Sequence, residues 1–194
     1  MFKNIKYFPI FLYCLLFIAF MFGIDPNSGA KSDYINHINL FKDFQKNIFE
    51  TLLNYKEYAT RHSPIAYLIY SQLYKFISID ILVRFIFFNF AFALPYIFYK
   101  CLNYKYSSIN KNYLILISSL ICISPSFISL SIWFDSRIYG TIFFCLSIYY
   151  FLKFEKKDNF FDVVKCVFSY TIASYISPNF AVFSIFYFYF FYLK

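Results

Sequence analysis

Long apolar runs separated by short polar segments constrain this chain more than any other feature. The runs are Ile5–Ile24, Ile81–Tyr99, Tyr113–Ile132, Ile138–Leu152, Val163–Ile176 and Phe180–Leu193. An α-helix needs about 20 predominantly apolar residues to cross a bilayer. The last two runs are shorter than this, and one long helix kinked at Pro178 is the alternative for them. The sequence predicts an all-α, polytopic transmembrane bundle of about six spans, forming a single membrane domain over residues 1–194.

The composition excludes an ordinary soluble enzyme. Hydrophobic residues make up 61% of the chain and charged residues only 14%, whereas soluble domains have nearer a half and a quarter. A core of this size cannot bury that much apolar surface. Intrinsic disorder is excluded for the same reason, because disordered chains are poor in hydrophobic residues.

The net charge of +8 is distributed as in a membrane protein and not as in a nucleic-acid-binding protein. Most basic residues lie in short gaps between apolar runs, the pattern of loops retained in the cytoplasm. With a cytoplasmic N-terminus, ten basic and three acidic residues lie inside, giving +7. Eight basic and seven acidic residues then lie outside, giving +1. This orientation is therefore predicted, and no nucleic-acid partner is expected.

The segment Asp25–Asp80 forms a long outer loop, and loops of this length usually carry structure or function. After a turn at Asp25–Gly29, apolar residues recur at helical spacing and predict an amphipathic helix that lies on the outer membrane surface or against the spans. These apolar residues are Ile38, Phe41, Phe44, Ile48 and Leu52. The apolar stretch Ile65–Asp80 is predicted to be a re-entrant or surface helix. If it spanned, the later lysine-rich segments would change sides.

Asp33, Asn36 and His37 are the first candidate site in this loop. Their i, i+3 and i+4 spacing places them on one helical face. A carboxylate there can act as a general base or bind a divalent ion beside His37. The alternative is that Asp33 only caps the start of the helix, a position that Asp favours.

The turn Trp133–Arg137 is the second candidate site, on the same outer side as Asp33. It places Asp135 and Arg137 at the membrane edge, where charges are costly and often functional. The alternative is a local Asp135–Arg137 ion pair, with Trp133 in the aromatic belt at the membrane interface.

The order and spacing of four short segments resemble the N-terminal half of GT-C type integral-membrane glycosyltransferases. These include the protein mannosyltransferases, the aminoarabinose transferases and the bacterial RgtA/B/C/D-like proteins. The resembling segments are Ser32–His37, Arg61–Tyr67, Val83–Phe85 and Ser124-Pro125 through Asp135–Gly140. At 194 residues the chain is short for this family, so we expect it to be part of a larger fold.

The resemblance implies transfer of a sugar from a polyprenyl-phosphate donor to a glycan, lipid or protein acceptor. It places the reaction at the outer face of the bacterial inner membrane. In this interpretation Asp33 deprotonates the acceptor hydroxyl, and Arg137 stabilises the leaving phosphate. Asp135 would be the second outer acid, and His62 and Arg84 would shape the pocket. Many relatives have an Asp-Glu pair where this chain has Asp33 followed by Tyr34.

A divalent metal ion is left open as a cofactor, with Asp33, His37 and Asp135 as candidate ligands. A second hypothesis is a non-catalytic membrane component, such as a flippase-like protein or an assembly subunit of envelope polysaccharide synthesis. It predicts full function after Asp33 and Asp135 are both neutralised, and the enzyme hypothesis predicts that function is lost.

Overall fold

A computed structural model of the chain describes residues 7–27, 29–58, 60 and 62–193. These residues form helices and connecting turns with no β-strand among them, which confirms the all-α prediction for this part of the chain. Several residues used in the sequence interpretation lie outside the described residues, namely Lys3, Ile5, Lys6, Ser28, Arg61 and Lys194.

The described residues form twelve α-helices, some joined by short 3-10 segments. In chain order they are α1 Phe8–Met21, α2 Ala30–Asn36, α3 Ile38–Lys46, α4 Ile48–Leu53, α5 Pro64–Ile77, α6 Asp80–Ala91, α7 Ala93–Lys105, α8 Lys111–Ser119, α9 Pro125–Ile132, α10 Ser136–Lys157, α11 Phe160–Ile176 and α12 Ser184–Phe188. The 3-10 segments are Tyr55–Tyr58, Leu120–Ile123 and Pro178–Phe183. A π-helical turn, Tyr189–Leu193, follows α12.

Two helices among the described residues are long and apolar enough to cross a membrane. They are Asp80–Lys105, formed by α6 and α7 over 26 residues, and α10 with 22 residues. Lys111–Ile123 and Pro125–Ile132 make a third candidate if this pair, bent by 67°, counts as one span. The shorter α1 is also apolar. The described helices thus hold two or three span candidates, fewer than the six predicted.

The bend in the third run follows from Pro125. Proline disfavours the α conformation in the residue before it, and Ser124 has extended backbone angles of φ −61° and ψ 129°. Pro125 is then the first residue of α9, where its missing N–H costs no helical hydrogen bond. The expected continuous helix over Tyr113–Ile132 is therefore broken.

The last apolar run is not one helix, and it does not continue α11 through a kink. Ser177 is extended at φ −135° and ψ 101°, and the chain turns back at Pro178. The Tyr170 hydroxyl donates to the carbonyl oxygens of Phe180 and Ala181, at 3.1 and 2.7 Å. The chain after Pro178 consequently packs back against α11. The predicted break at Ser177 is present, whereas the alternative of one long kinked helix was wrong.

The predicted amphipathic helix in the outer loop is divided at Asn47. The Asn47 side chain accepts a hydrogen bond from the Glu50 backbone N–H at 3.2 Å and so caps α4. This local cap competes with continuation of α3. Phe41 and Phe44 are buried as expected, whereas Ile48 and Leu52 are each 39% exposed.

α10 is the central helix and packs between α7 and α11. Gly140 allows close approach, because a Cβ atom there would lie 2.8 Å from the Cβ of Ser177. The 22 residues of α10 span about 33 Å at 1.5 Å per residue. α2 contacts its first turn through the Asp33–Arg137 ion pair.

Lysine residues gather at the opposite end of α10. Lys105 pairs with Glu155 at 3.2 Å, and Lys153 pairs with Asp162 at 3.3 Å. Lys156 donates to the Tyr104 carbonyl at 2.6 Å. The lysine-rich end and the Arg137 end of α10 are therefore separated by the length of a membrane-crossing helix.

Candidate functional site

Arg137 brings together two acids that are 104 and 2 positions away in the sequence. Its Nη2 nitrogen donates to Asp33 Oδ2 at 3.1 Å and to Asp135 Oδ2 at 2.6 Å. Its Nε nitrogen donates to Asp135 Oδ1 at 2.9 Å. Arg137 therefore connects the two candidate sites, Asp33 on α2 and the turn before α10.

Asp135 is the buried partner of Arg137. Its side chain is 5% exposed, compared with 41% for Arg137 and 50% for Asp33. Asp135 also accepts a hydrogen bond from the Arg137 backbone N–H at 2.8 Å, which caps α10. A capping carboxylate at a helix N-terminus is stabilised by the helix dipole. The local ion pair exists, and it also orients the guanidinium toward Asp33.

Asp33 does not cap α2. The helix begins at Ala30, so Asp33 lies in its first turn. Asp25 supplies the carboxylate instead, because its Oδ2 accepts from the Lys31 backbone N–H at 3.0 Å. The capping interpretation of Asp33 was therefore wrong, and its half-exposed carboxylate faces a cavity.

This cavity, the Asp33 cavity, has a volume of about 460 Å³. It is lined by Asp33, Asn36, His37, Tyr58, Thr60, His62 and Arg137. Asn36 and His37 share it with Asp33, as their helical spacing predicts. His62 arrives from the segment before α5, where Ser63 caps the helix by accepting from the Ile65 N–H at 3.4 Å. The lining thus combines a carboxylate, a guanidinium, two imidazoles and neutral polar groups.

Tyr58 and Thr60 were not foreseen as site residues. The Tyr58 hydroxyl donates to Asp43 Oδ2 at 2.7 Å, and this hydrogen bond raises the pKa of Tyr58 to about 12. Nothing in the local sequence distinguishes these two hydroxyls from those elsewhere in the outer loop.

The two histidines of the cavity are partly desolvated. Burial lowers the pKa of His37 and of His62 below the usual 6.5, although the nearby acids oppose this effect. The His37 ring also packs on Tyr67, with ring centroids 4.7 Å apart. Both imidazoles are therefore neutral near pH 7, and they can accept a proton when the cavity becomes acidic or binds an anion.

Acid should destabilise the folded protein through these histidines. Their pKa is lower in the folded than in the unfolded chain, so unfolding takes up protons below pH 6.5, at most about two in total. The stability present above that pH is lost as the pH falls toward the folded-state values. Chemical unfolding in detergent at several pH values between 7.5 and 5 measures this loss. A His37→Gln/His62→Gln variant should lose less stability over the same interval, and an equal loss would contradict the assignment.

Arg84 and Trp133 lie outside the cavity lining. Arg84 pairs with Asp80 at 3.0 Å, and its guanidinium lies over the Trp133 ring at 4.5 Å from the centroid. Trp133 is only 9% exposed, so it does not belong to an exposed aromatic belt. Of the two residues expected to shape the pocket, His62 lines the cavity and Arg84 does not.

The candidate metal ligands do not assemble into a metal site. Among the described residues, no group of three or more His, Cys, Asp or Glu side chains is placed to hold a metal ion. Asp33 and Asp135 instead share the Arg137 guanidinium. A cation between them would have to displace an arginine that both carboxylates already bind, so these residues do not fit a divalent ion.

No family model, curated protein or solved structure matches this chain. The site must therefore be interpreted from its own geometry. The larger cavity of about 510 Å³, between α1, α7 and α8, has no carboxylate, histidine or cation in its described lining. The Asp33 cavity is consequently the better candidate for chemistry.

Proposed function

We propose that this protein is a membrane glycosyltransferase that moves a sugar from a polyprenyl-phosphate donor to an acceptor hydroxyl. The observation that carries the proposal is the Asp33–Arg137–Asp135 arrangement beside a polar cavity at one end of α10. The sequence resemblance to GT-C enzymes supports it, because it implies that Asp33 is the acid of the first outer loop.

In the proposed step, Asp33 accepts the proton of the acceptor hydroxyl through Oδ1. Its other oxygen, Oδ2, is oriented by Arg137 at 3.1 Å. The acceptor oxygen attacks the anomeric carbon, and the new C–O bond forms as the bond to the phosphate oxygen breaks. That electron pair leaves with the polyprenyl phosphate. General-base assistance of this kind contributes about 100- to 10,000-fold to a rate.

Arg137 is the proposed phosphate ligand. Asp33 and Asp135 engage its Nε and Nη2 atoms, so within the described part of the chain Nη1 is available for a ligand. A guanidinium matches the geometry of phosphate oxygens and stays charged throughout. His37 and His62 add donors to the same cavity and can receive the proton as negative charge develops on the phosphate.

The proposed membrane arrangement follows the charge pattern. Lysine residues lie at one end of α10 and the Asp33 cavity lies at the other. This distribution is consistent with a cytoplasmic N-terminus and an outer-facing cavity. We propose a bacterial inner-membrane protein in which the shorter apolar helices join the two or three candidate spans, giving the six-span bundle. Exposed apolar side chains on α1 and α6, such as Phe11, Ile18 and Phe90, would then contact lipid. The bilayer, the donor lipid and a glycan, lipid or protein acceptor are the proposed partners.

Radiolabelled polyprenyl-phosphate sugars test the proposal with the chain reconstituted in nanodiscs. The expected result is binding of at least one donor and release of its sugar to water or to an added acceptor. The free polyprenyl phosphate is measured by chromatography.

If a panel of hexosyl and pentosyl donors neither binds nor turns over, the proposal is wrong. If donors bind and remain intact, and binding persists after Asp33 and Asp135 are neutralised, the protein is a non-catalytic lipid-binding component instead.

A further inference from the structure

Arg84 lies one turn into α6 and contacts several aromatic side chains. Its Nε donates to Asp80 Oδ2 at 3.0 Å. Its guanidinium carbon lies 4.5 Å from the centre of the Trp133 ring and 5.7 Å from that of Tyr34. Cations over aromatic rings are attracted by the ring quadrupole, most strongly over tryptophan and when partly desolvated. The Arg84 side chain is only 13% exposed.

Both rings belong to the segments that carry the site acids. Tyr34 directly follows Asp33 on α2, and Trp133 lies two residues before Asp135. The two rings also contact each other, with centroids 5.7 Å apart. Arg84 therefore holds the α2 segment and the turn before α10 against one another, although they are distant in sequence.

Asp80 also links Tyr34 to Tyr70 on α5. The hydroxyls of Tyr34 and Tyr70 both donate to Asp80 Oδ1, and they lie 2.8 Å from each other. The carboxylate that orients Arg84 thus also fixes Tyr34. The Asp80–Arg84 pair at the start of α6 thus contacts Tyr34, the residue that follows Asp33.

The position of Arg84 is unfavourable for hydrogen bonding. Among the described residues, the Arg84 Nη1 and Trp133 Nε1 atoms are buried without a hydrogen-bond partner. Buried unpaired donors are unfavourable, and a well-packed apolar side chain at the position of Arg84 would avoid one of them. What the cation supplies, and an apolar residue lacks, is simultaneous attraction to Asp80, Trp133 and Tyr34.

We infer that Arg84 is a positioning residue that sets the geometry of the Asp33–Arg137–Asp135 arrangement through Tyr34 and Trp133. The inference rests on the proposed function only for the roles of Asp33 and Arg137. The positioning itself is a property of the protein without ligand.

Hydrogen–deuterium exchange of the nanodisc-embedded chain tests the positioning without any ligand. In Arg84→Gln, we expect the amides of α2 and of the turn Trp133–Arg137 to exchange about tenfold faster, as for loss of a charged hydrogen bond. Exchange in α11 should not change. Trp133 is the only tryptophan, so its emission should shift to the red as the ring is released.

Two further variants make the result specific. Lys31→Gln removes the other cation over the Trp133 ring, which lies 5.3 Å from its centre, and should leave exchange in the turn unchanged. Arg84→Lys retains a cation near Trp133 and should restore part of the protection. If Arg84→Gln gives unchanged exchange, or equally faster exchange in α2, the turn and α11, the inference is wrong. If Arg84→Gln does not fold, the Arg84→Lys comparison with wild type decides by the same two segments.

Binding of a polyprenyl phosphate separates this inference from the proposed function. Wild type should bind the lipid, and Arg84→Gln should bind it about tenfold more weakly, the same loss as that of a charged hydrogen bond. If wild type binds none, the proposed function fails while the exchange data still decide the role of Arg84. If binding is equal in both proteins although the exchange differs, Arg84 does not position the phosphate ligand, and that part of the inference is overturned.

Discussion

Asp33→Asn should lower the rate of sugar transfer by about 100- to 10,000-fold while the protein remains folded. The amide retains an oxygen that Arg137 can bind, but it cannot accept the proton of the acceptor hydroxyl. The Asp33 side chain is 50% exposed, and an ion pair of that kind contributes about 0–1 kcal/mol to stability. The structure thus separates the chemical role of Asp33 from its structural role. Release of polyprenyl phosphate in nanodiscs measures the first, and chemical unfolding measures the second.

Glu155→Gln is the matched control for this experiment. Glu155 is 46% exposed and pairs with Lys105 at 3.2 Å, so its carboxylate closely resembles that of Asp33 in exposure and pairing. It lies at the far end of α10, away from the cavity, and its loss should leave transfer unchanged. Transfer at the wild-type rate by Asp33→Asn would remove Asp33 as the base, and an equal loss in both variants would indicate a general effect of charge.

The order of the sequence motifs predicted the charged residues of the site but not the aromatic contacts of Arg84 beside it. Five residues come together because the loop segment and the first turn of α10 lie at the same end of the bundle. They are Asp33, His37, His62, Asp135 and Arg137. Alternation of apolar runs and charged gaps is enough to predict that arrangement. The contacts of Arg84 with Trp133 and Tyr34 were not predicted, because a sequence gives no sign of which distant ring a cation will contact.

Helix boundaries were the least predictable part of the fold. Apolar periodicity continues through Asn47 and Ser124, yet each of these residues ends or interrupts a helix. At Asn47 a side-chain cap competes with the helix, and at Ser124 the following proline disfavours the α conformation. Composition over 15 to 20 residues predicts burial in lipid, whereas the path of the chain depends on single residues.

Arg137→Gln should be the most destabilising change at the site, by about 3 kcal/mol. It leaves Asp135, whose side chain is 5% exposed, without its guanidinium. Removing one partner of a buried pair costs more than removing both, because the remaining charge stays uncompensated. Asp135→Asn added to Arg137→Gln should therefore recover part of the lost stability. Urea unfolding of the single and double variants in detergent measures this coupling.

Arg137→Gln should also reduce sugar transfer by about 100- to 1,000-fold, because it removes the cation proposed to stabilise the leaving phosphate. Arg137→Lys keeps the charge but not the planar fork that binds Asp135 through two nitrogens, so it should retain more activity than Arg137→Gln.

Lys105→Gln is the control variant. It breaks the exposed pair at the other end of α10 and should change stability by less than about 1 kcal/mol. If Arg137→Gln behaves like Lys105→Gln in both measurements, Arg137 is a surface charge and not the centre of this site. If stability recovers in the double variant while transfer stays low, the phosphate role of Arg137 is distinct from its pairing with Asp135.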